Sequence, residues 1–182
     1  MARARHGDVD IYYETFGSPS ASPLLLVNGL GSQCLNYRVE LCRQLADTGH
    51  FVIRYDNRDV GLSTKFSHVA PDVAGVAGAV SRGEAVDVPY RLSDMAGDGL
   101  AVLDDLGLDR AHVLGSSMGG MIVQTMAVEA PGRLRSMTSV MSTTGDPDVG
   151  RSTAPARERI MAPAAADRAG YVAGQLAGLR IW

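Results

Sequence analysis

Residues 113–120 read Val113-Leu114-Gly115-Ser116-Ser117-Met118-Gly119-Gly120, a short apolar strand running into a G-x-S-x-G pentapeptide and then a helix. A serine hydroxyl attacks poorly unless it stands clear of the backbone, where a base and a substrate can reach it. A tight turn from strand to helix achieves this, and glycines two residues before and after the serine leave space for such a turn. The helix that follows also directs its first N–H groups toward a developing oxyanion. Ser117 is therefore the expected catalytic nucleophile, with Gly115 and Gly119 as the glycines of the turn. A bare G-x-S-x-G also arises as a simple glycine-rich bend. The flanking strand and the helix from Met118 to Ala130 decide between the two readings.

Outward from this turn, apolar runs alternate with amphipathic ones. Residues 8–16 alternate polar and apolar as a half-buried edge strand does. Pro23 to Val27 and Phe51 to Tyr55 are continuous apolar runs, suited to parallel strands covered on both faces. Helices are predicted over about 36–48, ended by Gly49, and over about 94–106, capped by Ser93 and ended by Gly107. Residues 64–90 lack a firm period and read as a long loop with one short helix. Pro131 and Gly132 stop the helix after Ser117, and Leu134 to Met141 is the last clear strand. The pattern predicts an α/β fold with a parallel, doubly wound sheet of about six strands. Residues 1–143 would form this core, and residues 144–182, with weak helical stretches at about 155–162 and 167–178, a separate segment.

Asn28-Gly29-Leu30-Gly31-Ser32 follows a strand at the same C-terminal sheet edge as Ser117. A glycine-rich loop there lets a backbone N–H face a reacting carbonyl, so the expected oxyanion hole is the N–H of Leu30 with that of Met118. The chemistry calls for no cofactor and no metal. With 17 basic and 20 acidic residues, the net charge of −3 argues against nucleic acid as a partner. No stretch approaches the ~20 apolar residues of a membrane span, and the basic start has no apolar signal core behind it. A cytoplasmic chain is expected, with Cys34 and Cys42 as free, partly buried thiols.

The loop Asn28–Ser32, the turn from Arg54 through Asp56, Asn57 and Arg58 to Ser63, and the segment Gly115–Gly120 together resemble the α/β-hydrolase family, in order and spacing. The closest resemblance is to serine esterases of the aclacinomycin methylesterase type. It implies carboxylic ester hydrolysis through an acyl-enzyme at Ser117, with a small hydrophobic ester as substrate. Perhydrolase-like and C–C bond hydrolases share the motif. One departure is Asn28, where the family often carries histidine. Asp56 and Arg58 match the family's turn after its fourth strand, where a role bracing the segment around Ser117 is expected.

The resemblance also implies a triad in the order serine, acid, histidine, with the last two after a seventh and an eighth strand. Neither strand is present, and no histidine follows Ser117; the four histidines are His6, His50, His68 and His112. The chain is thus expected to carry the first two-thirds of a typical member, to end within the beginning of a helical lid and to be inactive by itself. His68 and Asp146 are the candidate substitutes, and Asp148 is a second acid in the same stretch. His50 and His112 fall at strand starts on the opposite edge, and His6 in a mobile terminus. Leu134–Met141 would be an exposed sheet edge open to self-association. The competing reading is a catalytically dead fragment or association module.

Overall fold

The computed structural model describes residues 1–70, 72–146, 148–150, 152–162, 165 and 167–178. Six strands form one sheet: β1 (Ala2–His6), β2 (Val9–Phe16), β3 (Ser22–Val27), β4 (His50–Tyr55), β5 (Ala111–Ser116) and β6 (Leu134–Val140). Their spatial order is β1-β2-β4-β3-β5-β6. β4, β3, β5 and β6 run parallel, whereas β1 with β2 and β2 with β4 are antiparallel. The helices are α1 (Val39–Asp47), α2 (Val73–Ser81), α3 (Leu92–Asp105), α4 (Met118–Glu129), α5 (Ala154–Met161) and α6 (Arg168–Gly178). The chain divides into two compact units, Met1–Thr144 and Gly145–Trp182.

The central strands are apolar on both faces because helices cover both. Leu25, Val27, Ile53, Tyr55 and Val113 alternate onto the face packed by Met95, Val102 and Leu103 of α3 and by Ile122 and Met126 of α4. Leu24, Leu26 and Val52 point the other way, against Cys42 and Leu45 of α1. Fully burying one such side chain contributes about 1.5–3 kcal/mol, so this double layer fixes the register of the strands that end near Ser117.

The N-terminus departs from expectation. Residues 2–6 are not a mobile tail but the outer strand β1, which makes β2 an interior strand rather than an edge. Ala4 is fully buried, and the His6 ring lies 2.9 Å from the Asp98 carboxylate on α3. Short A-R-A-R alternation gives a weak apolar signal, and only this tertiary partner makes the strand legible. Ser93 is not a cap: α3 begins at Leu92, and Asp94 accepts the N–H of Arg91 at 2.7 Å. β6 is the sheet's last strand, its side chains exposed after Leu134.

Both cysteines are free and buried. Burial, reinforced by the nearby Asp56 carboxylate, pushes the Cys34 thiol up to about 12, and burial raises Cys42 as well. The native chain should therefore leave both thiols unreacted with a thiol-disulfide reagent at pH 8, and both should react in guanidinium. The neutral Cys34 thiol is favoured by folding. Its contribution is complete below the unfolded value of about 8.5 and is lost as pH rises from there toward about 12. Rapid labelling of native Cys34 at pH 8 would contradict this placement.

Candidate active site

β5 ends at Ser116 and α4 begins at Met118, so Ser117 alone makes the turn between them. Its φ of 57° and ψ of −122° lie where non-glycine residues rarely go, a conformation that costs about 1–3 kcal/mol. Packing holds it there. The Ser117 N–H donates to the Val140 carbonyl at 2.8 Å, and the Ser117 carbonyl accepts from the N–H of Gly120 at 2.8 Å. The side chain is exposed.

The glycines on either side are dictated by close approach. A Cβ on Gly115 would come within 2.0 Å of the Gly119 carbonyl oxygen, and one on Gly119 within 2.2 Å of the Val27 oxygen. The elbow is thus folded on itself and pressed against the end of β3. Gly29 closes the same contact from the loop side, since a Cβ there would lie 3.1 Å from the Ser117 Cβ and 3.6 Å from its Oγ. The Asn28–Ser32 loop and the elbow are therefore in contact. Leu30 is 69% exposed. Among the described residues, neither the Leu30 N–H nor the Met118 N–H meets a protein acceptor.

The turn after β4 braces the loop following β3 instead of the segment around Ser117. The Asp56 carboxylate accepts the N–H of Cys34 at 2.6 Å and that of Leu62 at 2.8 Å. Arg58 turns away to α3, where its Nε and Nη2 donate to the two oxygens of Asp98, each at 2.7 Å. Sequence spacing places these residues at one sheet edge but does not reveal which neighbour each side chain reaches. The structure also brings in a residue given no role from sequence: Asn57, whose Nδ2 donates to the Asn28 carbonyl at 3.0 Å.

The other predicted residues are dispersed. His50 and His112 sit at the starts of β4 and β5 with ring centroids 6.2 Å apart, at the sheet edge opposite Ser117. His68 is exposed and lies against Phe66, centroid to centroid 6.1 Å. Asp146 caps a local turn through the N–H of Asp148 at 2.8 Å. Among the described residues no group of three or more His, Cys, Asp or Glu side chains is arranged to hold a metal ion. No helix among them is long and apolar enough to cross a membrane.

A strand-to-helix elbow beside a glycine-rich loop, on a mostly parallel sheet of this order, defines a class. The chain belongs to the alpha/beta hydrolase fold family, whose model matches residues 22–175. It is 35% identical over 141 residues to rhodomycin D methylesterase DauP of Streptomyces sp. (strain C5), covering 78% of this chain and 42% of that protein. It is 36% identical over 141 residues to rhodomycin D methylesterase DnrP of Streptomyces peucetius, with the same coverage of each. The chain thus spans about two-fifths of the length of these curated relatives. Among solved structures, a hydrolase from Pseudomonas aeruginosa PA01 aligns over 97% of this chain and 57% of its own, at 24% identity and a TM-score of 0.66. Proline iminopeptidase of Mycobacterium smegmatis aligns over 78% and 43%, at 28% identity and a TM-score of 0.57.

Proposed function

We propose that the chain is the nucleophile-bearing part of a serine hydrolase that cleaves carboxylic esters. The carrying observation is the backbone of Ser117, held at φ 57° with its side chain exposed and Gly29 packed against it. Ser117 Oγ adds to the ester carbonyl, and its proton passes to a base. The oxygen, now negative, is held by the N–H groups of Leu30 and Met118. The carbonyl reforms, the alcohol leaves with a proton, and water then releases the acid from the acyl-serine. Exposed Leu30, with Met118 and Met121 beside the elbow, favours a small hydrophobic ester, and relatives named methylesterases favour an ester as substrate. On this reading residues 144–182 belong to a lid segment.

The test is covalent. A fluorophosphonate probe at pH 9 should add one mass increment to the peptide containing Ser117, and Ser117→Ala should abolish it. Absence of labelling, or labelling spread over other serines, would defeat the assignment. A second reading, that the chain acts by association, draws on β6: Met137 and Val140 are exposed on this last strand, and Met141 just beyond it is 77% exposed. Concentration-dependent mass in sedimentation, removed by a charged substitution at Met137, supports it, and a monomer at all concentrations excludes it.

A further inference from the structure

Two neighbouring residues of the turn after β4 grip the two ends of the loop beside Ser117. Asp56 takes the N–H of Cys34, and Asn57 takes the carbonyl of Asn28. We infer that Asn57 is a positioning residue for the oxyanion hole: by fixing the Asn28 carbonyl it sets the peptide plane that leads into Gly29 and so the direction of the Leu30 N–H. This rests on the reading of Ser117 as nucleophile.

The direction of the Leu30 N–H depends on how many peptide planes of the loop are held. A trans peptide is planar, so fixing its carbonyl fixes its N–H on the opposite side. Leu30 N–H belongs to the Gly29–Leu30 peptide, whose carbonyl accepts the N–H of Ser32 at 3.2 Å. That turn sets one plane but leaves it able to swing about Gly29, the residue with the widest choice of φ and ψ. The preceding plane, Asn28–Gly29, must therefore be held as well. Its carbonyl oxygen lies close to Gly119, where a Cβ would come within 2.7 Å of it, and accepts the Asn57 amide at 3.0 Å. Behind it, the Tyr37 hydroxyl donates to the Val27 carbonyl at 3.1 Å.

Asn57 suits this work. It is 1% exposed, so its bond is shielded from competing solvent. Its backbone carbonyl is pinned by the N–H of Val60 at 3.1 Å, in the turn that Asp56 also clamps through Leu62, while its side-chain Oδ1 is buried with no hydrogen-bond partner among the described residues. The grip is directional, because only a donor can hold a carbonyl oxygen, whereas a group merely filling the space could be either donor or acceptor.

That direction supplies the test. Asn57→Asp keeps the shape and replaces the donor with a carboxyl that donates only when protonated. Burial and the adjacent Asp56 raise that carboxyl's pKa. Fluorophosphonate labelling of Ser117, taken as a ratio to the parent chain at each pH, should be higher at pH 6 than at pH 9. By pH 9 it should have fallen about tenfold, the weight of one lost hydrogen bond. In parallel, the 13Cα resonance of Leu30, which solvent exchange does not touch, should be sharp in the parent chain at both pH values, broadened by loop motion in the variant at pH 9 and sharper at pH 6. Asn57→Ser is neutral and too short to reach the carbonyl. It should show the same loss at every pH, and it decides the matter if the carboxylate variant does not fold. Parent-like labelling of Asn57→Asp at pH 9, or of Asn57→Ser at any pH, would overturn the role. Failure of the parent chain to label at all would sink the nucleophile reading instead, and the Leu30 resonance would still decide whether Asn57 orders the loop.

Discussion

Turnover of p-nitrophenyl butyrate by the 182-residue chain is expected at about 10⁻³ s⁻¹ or slower, against about 10 s⁻¹ for a typical enzyme. Removing the base from a serine triad costs roughly 10⁴–10⁶ in kcat, and what survives comes from the oxyanion site and binding. No histidine follows Ser117 in the sequence. Of the four upstream, His6 is bound to Asp98, His50 and His112 face one another at the far edge of the sheet, and His68 rests on Phe66. None is hydrogen-bonded to the Ser117 hydroxyl among the described residues, and a general base must come within about 2.6–3.2 Å of the proton it takes. Among the described residues no histidine then competes with hydroxide from solvent as the base. The labelling rate should climb about tenfold per pH unit from 7 to 9, with no plateau in the range where an imidazole titrates. A plateau between pH 6 and 7 would expose an internal base and refute the expectation. If it vanished in His68→Ala, the exposed loop after β4 would be carrying that base.

The sequence makes the elbow legible because its signal is local. Gly115 and Gly119 are demanded by backbone atoms four residues away or less, or by the end of the adjoining strand. The same holds for the apolar runs of β3 and β4, whose two-sided burial needs no partner to be read. Interactions across the chain leave weaker marks. Nothing in A-R-A-R-H announces an outer strand, since its one buried alanine depends on α3 lying beneath it. The turn Asp56-Asn57-Arg58 is visible as a motif, yet its three side chains reach a loop 22 residues away, a carbonyl 29 residues away and a helix 40 residues away. Motif spacing supplies the residues without their directions. That is why the motif predicts bracing by Asp56 and Arg58 but not that its object is the loop after β3 and helix α3.

The largest effect on folding should come from Asp98. This carboxylate is 1% exposed and accepts both arms of Arg58, itself 5% exposed, together with the His6 ring. It joins β1, the turn after β4 and α3 at a single point. Burial disfavours the Arg58 cation, but the two charge-assisted bonds from Asp98 outweigh this and hold its pKa above the ordinary value. Asp98→Ala leaves the guanidinium buried with the Asp94 carbonyl at 3.2 Å, the His6 Nδ1 at 3.4 Å and the rings of Phe66 and Tyr90 beside it, and with no carboxylate bonded to it. Breaking a buried pair in this way costs about 3–5 kcal/mol. In a chain of this size that is about 10 °C in thermal midpoint. Replacing both partners with alanine removes the stranded charge as well as the pair. The double variant should therefore recover part of the loss, a non-additivity that urea denaturation of the two single variants and the double variant would measure. Simple additivity, or a loss below about 1 kcal/mol in Asp98→Ala, would mean that Arg58 escapes to solvent and that the three elements are held together by apolar packing alone.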